Sequence, residues 1–134
     1  MTLYLLDTDI CSYIMKRSHP ELLEKLRRVD LESIAISVVT EAGLLYGIKL
    51  SSKPRLARAA FDGFIKHVRV LDWARAAAED YADIRANLHK AGKLIGANDL
   101  MIAAHCRSLG ATLVTNSTRE FSRVKGLSIE NWAE

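Results

Sequence analysis

Three acidic residues far apart in the chain, Asp7, Glu41 and Asp99, are of the type and placement to form an oxygen-ligand site if the fold gathers them. Asp7 ends the apolar run Leu3-Tyr4-Leu5-Leu6 and opens the segment Asp7-Thr8-Asp9-Ile10. Such a run without alternation reads as a strand covered on both faces. In open α/β sheets, ligands bind beyond the carboxyl ends of the strands, so a carboxylate at that edge is a candidate for metal or phosphate chemistry. Taken alone, a strand-end Asp does no more than cap the next helix, and convergence of other acids must decide. Carboxylates drawn together repel and raise one another's pKa unless a cation sits among them. The donors are all oxygens, and His89 and His105 lie outside these positions, so Mg²⁺ or Mn²⁺ is favoured over zinc. Such an ion suits phosphodiester hydrolysis, because it activates water and neutralises phosphate charge.

The elements that must position these residues alternate between strand and helix. Ile10 to Met15 forms a short helix, and Pro20 sits in the first turn of the next, whose stripe is Leu22, Leu23 and Leu26. Ile34-Ala35-Ile36 is a second strand, and Ser37 is placed to cap a helix from Val38 to Leu50 that carries Glu41 in its early turns. Pro54 opens a further helix with Phe61, Phe64 and Ile65 at helical spacing. Val68 to Leu71 is a strand suited to a sheet edge, since Arg69 interrupts it. A helix over 74–91 follows, with Gly92 as its left-handed terminus. Asn98-Asp99 opens the helix Leu100 to Leu109, with Asn98 as its cap. Ala111 to Thr115 is a buried strand ending in Asn116-Ser117, and Leu127 to Ile129 adds a last short strand.

This order predicts a three-layer α/β/α sandwich on a mainly parallel sheet, in one domain over 1–134. Parallel strands end on one edge, which delivers Asp7, Glu41 and the Asn116-Ser117 group to the same side. Asp99 begins a helix that leads into a strand; its start is expected at the opposite edge unless the long preceding connection turns it round.

The totals are those of a globular domain: 134 residues, 49% hydrophobic and 26% charged. No apolar run approaches the roughly 20 residues that span a bilayer, and a basic leader is absent, so an intracellular protein without a membrane segment is expected. Cys11 and Cys106 lack metal-ligand spacing and read as small core residues. The net charge of +3, concentrated at Lys16, Arg17, Lys25, Arg27 and Arg28 and again over 49–69, mildly favours a polyanionic partner.

Four ordered motifs carry a family resemblance: Leu5-Leu6-Asp7-Thr8-Asp9; Ser37-Val38-Val39-Thr40-Glu41 with Leu44-Leu45-Tyr46-Gly47; Ile95-Gly96-Ala97-Asn98-Asp99 with Ile102-Ala103-Ala104-His105; and Leu113-Val114-Thr115-Asn116 with Arg119-Glu120-Phe121. Together they closely resemble the PIN-domain ribonuclease toxins called VapC. The resemblance implies a Mg²⁺-dependent endoribonuclease of the bacterial cytoplasm that blocks translation by cutting tRNA or other structured RNA. It further implies a homodimer and a larger assembly with a cognate VapB-like antitoxin. It assigns metal-ligand roles to Asp7, Glu41 and Asp99; beside them, Asp9 reads either as support for the site or as a helix cap, and Asn98 as a cap that also steadies Asp99. Many relatives have a fourth acid after the last motif strand; here Asn116, Ser117 or Glu120 stands in that stretch, so a single ion is expected. Exposed apolar residues around Tyr13, Ile14, Leu22 and Leu26 offer a groove for an antitoxin segment. The rival class is a haloacid-dehalogenase-like phosphatase, whose first two motifs Asp7-Thr8-Asp9 and Thr115-Asn116 imitate, with Asp7 as the nucleophile. Cys11 departs from that pattern.

Overall fold

The computed structural model describes residues 2–134. Five strands form one sheet in the order β3-β2-β1-β4-β5: β1 at Tyr4–Leu6, β2 at Ile34–Ser37, β3 at Arg69–Leu71, β4 at Thr112–Val114 and β5 at Ser128–Glu130. Every pairing is parallel. The strand carrying Asp7 therefore lies at the centre, flanked by one neighbour from early in the chain and one from its last quarter. Successive strand residues point to opposite faces, and this alternation divides the core in two. Leu5 and Leu113 pack on one side with Ile84, Leu88 and Ile102, whereas Leu6 and Val114 pack on the other with Ile10, Leu22, Leu44 and Phe61.

Helices α1 (Thr8–Lys16), α2 (Pro20–Arg28), α3 (Val38–Leu50) and α4 (Pro54–Ile65) cover the second face, and α5 (Ala76–Lys90), α6 (Ala97–Ser108) and the short α7 (Thr118–Phe121) cover the first. Their ends follow local chemistry. The Ser37 hydroxyl accepts from the Val39 N–H at 3.1 Å and starts α3, and Pro54 opens α4 where a missing N–H costs nothing. Gly92 lies at φ 68 just beyond α5, in the region that favours glycine. Cys11 and Cys106 are buried, unpaired core residues. No helix among the described residues is long and apolar enough to cross a membrane.

Several expectations need correction. A helix that feeds a parallel strand must finish at the edge where that strand starts, so it begins toward the opposite, carboxyl edge. The start of α6 accordingly lies on the Asp7 side, and no unusual turn in the preceding connection is required. Its first residue is Ala97 and its N-cap is Gly96, so Asn98 stands within the first turn and is not the cap. Leu22, expected in an exposed groove, is fully buried. The stretch after Asn116 also winds into α7, and Leu31–Ser33 forms a 3₁₀ turn ahead of β2.

Candidate metal centre

The two oxygens of Asp7 have different duties. As the N-cap of α1, Asp7 accepts the Ile10 N–H on Oδ1 at 2.9 Å, while its Oδ2 accepts the Thr115 hydroxyl from beyond β4. Capping and site-building are thus done by one carboxylate, held in one orientation by donors 108 residues apart in the case of Thr115 and three in the case of Ile10. Thr115 is fully buried and accepts the Ser117 N–H at 2.9 Å, so its own proton is directed to Asp7. Sequence reasoning missed Thr115. The signal for it was a hydroxyl directly after the apolar pair Leu113-Val114, at the exit of β4.

Only 4% of Asp7 is exposed. Burial raises its pKa from an ordinary 3.8 to about 6; the Thr115 and Ile10 hydrogen bonds pull downward, and the charges of Asp9 and Asp99 push further up. Asp99, half-buried in the first turn of α6, is likewise raised by burial, then by Asp9 and Glu120. Its Oδ2 lies 3.5 Å from where a Cβ on Gly96 would stand, which places the carboxylate over the helix start. Asp7, Asp9, Asp99 and Glu120 therefore share one electrostatic neighbourhood. Among the described residues no Lys or Arg forms an ion pair with any of the four.

Glu41 does not figure among the charges acting on Asp7 or Asp99. A Cβ on Gly43 would meet the Thr8 side chain at 3.5 Å, so Gly43 is on the face of α3 turned toward the start of α1. Glu41 lies in the first turn of α3, the helix that leaves β2 at the sheet edge carrying Asp7. Among the described residues no group of three His, Cys, Asp or Glu side chains closes around a metal position.

The remaining candidates separate similarly. Ser117 contributes its N–H to Thr115, and Glu120 adds its charge to Asp99. Exposed Asn116 turns its amide away, toward the Tyr13 hydroxyl at 3.4 Å, and accepts from Asn131 at 3.2 Å. Asn98 is exposed and makes no hydrogen bond to Asp99. His105 is buried against the Ser37 hydroxyl and takes no part in the acid group.

The donor set fits a hydrated Mg²⁺ or Mn²⁺ held by two carboxylates. Such an ion keeps several waters and needs only one or two protein oxygens, so a closed three-acid cage is not required. A buried carboxylate with two acidic neighbours and no cationic side chain is also an arrangement that a divalent ion relieves.

The PIN domain family matches residues 4–127. The chain is 41% identical to "Ribonuclease VapC2" of Haemophilus influenzae over 132 residues, covering 98% of this chain and 99% of the relative. It is 40% identical to the "tRNA(fMet)-specific endonuclease VapC" of Shigella flexneri over 133 residues, covering 99% and 100%. Among solved structures, VapBC2 of Rickettsia felis, bound to a DNA fragment from its promoter, matches with a TM-score of 0.92 at 34% identity, over 98% of this chain and 99% of that one. These agreements extend over both the sheet and the acid-bearing edge and leave the phosphatase alternative without support, so the chain belongs to the PIN-domain family, among its VapC ribonucleases.

Proposed function

We propose that this protein is a Mg²⁺-dependent endoribonuclease toxin that cuts tRNA or another structured RNA in the bacterial cytoplasm and is silenced by a VapB-like antitoxin. The observation that carries the metal assignment is Asp7: buried, fixed by two hydrogen bonds, raised to about 6 and without a cationic side-chain partner. Asp7 and Asp99 would hold the ion, with Asp9 and Glu120 adding negative potential at its rim. Glu41, in the first turn of α3, is the third candidate ligand. The ion, when bound, supplies charge neutralisation at the scissile phosphate and a more acidic water. The protein's own part is to keep the Asp7 carboxylate ionised and aimed, through the Ile10 N–H and the Thr115 hydroxyl. Asp99 faces it from the start of α6, and the basic surface residues attract the RNA chain.

The antitoxin assignment follows the VapBC architecture of the similar solved structures. A suitable receptor is the apolar groove lined by Ile14, Met15, Leu26, Leu31, Phe64 and Val68, between α1, α2 and α4. Initiator tRNA is the first substrate to test, given the specificity in the name of the Shigella relative. Purified protein is expected to cleave it in Mg²⁺ and to stop, reversibly, in EDTA; Asp7→Asn and Asp99→Asn are expected to remain folded and inactive. Mapping the 5′ ends of the fragments identifies the bond. Metal-independent turnover, or full activity in Asp7→Asn, overturns the assignment.

A further inference from the structure

His105 is a buried ionisable side chain that the proposed chemistry leaves unused. It lies on α6, six residues after Asp99, and is 1% exposed. Its Nδ1 lies 2.8 Å from the Ser37 hydroxyl, a contact spanning 68 residues of sequence. Ser37 Oγ already accepts the Val39 N–H, so its proton is free to point at the ring; Nδ1 is then the acceptor and the ring proton sits on Nε2. The main chain of Asp72, just beyond β3, comes near enough to the ring to raise its pKa. Burial lowers the His105 pKa and the Asp72 main chain raises it only in part, which agrees with a neutral imidazole. One side chain therefore joins three parts of the sheet's carboxyl edge: the exit of β2 with the cap of α3, the exit of β3, and α6. Trp73 adds a second tie nearby, donating its Nε1–H to the Met101 carbonyl at 2.9 Å.

These contacts matter because Asp99 arrives on α6 and Asp7 on the central strand. A helix can slide along a sheet through small changes in side-chain packing, whereas directional bonds from His105 to Ser37 and from Trp73 to the Met101 carbonyl hold it at one height. We propose that His105 is a positioning residue: as a neutral imidazole between the Ser37 hydroxyl and the Asp72 main chain, it sets the height of α6 against β1 and thereby the separation of Asp99 from Asp7 across which a divalent ion is shared. This rests on the two-carboxylate metal assignment above and goes beyond it.

Manganese binding by the full chain, followed by calorimetry or by the loss of free Mn²⁺ paramagnetic signal, tests the idea without recourse to activity. His105→Asn retains polar atoms near the Nδ1 position, and His105→Leu removes the hydrogen bond to Ser37 at similar volume. Partners that orient metal ligands are commonly worth about 10–100-fold in affinity. His105→Leu is expected to weaken Mn²⁺ binding about tenfold, His105→Asn less, and RNA cleavage by both is expected to recover when Mg²⁺ is raised. Long-range ¹H–¹⁵N spectra of the wild-type imidazole are expected to show the Nε2–H tautomer. Unchanged Mn²⁺ affinity in a folded His105→Leu overturns the inference. Should that variant fail to fold, unchanged affinity in His105→Asn together with a charged or Nδ1–H ring in the wild type does so. Absence of Mn²⁺ binding by the wild-type chain would instead strike at the metal assignment itself.

Discussion

Replacing Asp7 by Asn separates two roles that one carboxylate combines here. If Asp7 were only a helix cap, Asn would serve nearly as well, and stability would stay level or fall slightly. If it is a buried anion awaiting a cation, removal of the charge stabilises the metal-free protein. The folded pKa of about 6 lies above the ordinary 3.8, so the folded state binds more protons than the unfolded one between those values. Stability of the metal-free wild type therefore falls as pH rises from about 4 to about 6, and remains lower above that. A shift of about 2 units corresponds to roughly 3 kcal/mol. Asn recovers most of this but forms a poorer bond with Thr115, whose oxygen already accepts the Ser117 N–H, a loss of about 1 kcal/mol. The net expectation in EDTA at pH 7.5 is a gain of about 1–2 kcal/mol, or a melting temperature higher by about 3–8 °C. The gap should narrow as pH approaches 4 and close below it, where Asp7 is protonated in both states, and saturating Mg²⁺ should stabilise the wild type alone. Thermal melts across pH, with and without EDTA, measure all of this. A metal-free Asp7→Asn melting below wild type at neutral pH refutes the reasoning.

Other perturbations probe neighbouring parts of the site. Thr115→Val keeps the volume but removes the hydrogen bond that lowers the Asp7 pKa; bonds to charged groups are worth about 1.5–3 kcal/mol, so the metal-free Asp7 titration, read by carboxyl ¹³C shifts, should move up by about 1–2 units. An unmoved titration removes Thr115 from its role. Asp99→Asn should abolish measurable Mn²⁺ binding, and a loss of comparable size in Glu41→Gln would place Glu41 in the ligand set beside it; unchanged binding in Asp99→Asn refutes its assignment. Glu120→Gln removes a charge that raises Asp99, so the Asp99 titration should shift downward. Arg107 joins Asp83 at 2.7 Å and the Lys125 carbonyl at 2.9 Å and also pairs with Asp80, so Arg107→Leu should lower stability by about 2–3 kcal/mol in denaturant melts with little change in metal affinity.

Features governed by a few adjacent residues could be read before the structure was known. The cap at Ser37, the opening of α4 at Pro54, the left-handed Gly92 and the edge placement of Arg69–Leu71 each follow from local chemistry and stand as expected. Asp7 was legible because a carboxylate that ends a wholly apolar strand is costly to bury and must be matched by a donor or a cation. Features that depend on rotation or distant pairing were not. Whether Glu41 completes the ligand set depends on how α3 packs on α1, which local sequence does not show. Thr115 gains its role only through the pairing of β1 with β4, which residue order does not reveal. The direction of α6 was deducible from its connection to β4, and the error there was one of geometry.

The pairing of β1 with β4 also has a consequence for synthesis. During translation Asp7 emerges almost at once, but the strand beside it and the hydroxyl that holds it arrive only with residues 112–115. A growing polypeptide still attached to the ribosome, or a fragment ended early by a nonsense codon, would lack the neighbour that holds its key carboxylate in place. On the metal assignment proposed above, the site is therefore assembled only once residues 112–115 have emerged, and a half-made chain lacks it.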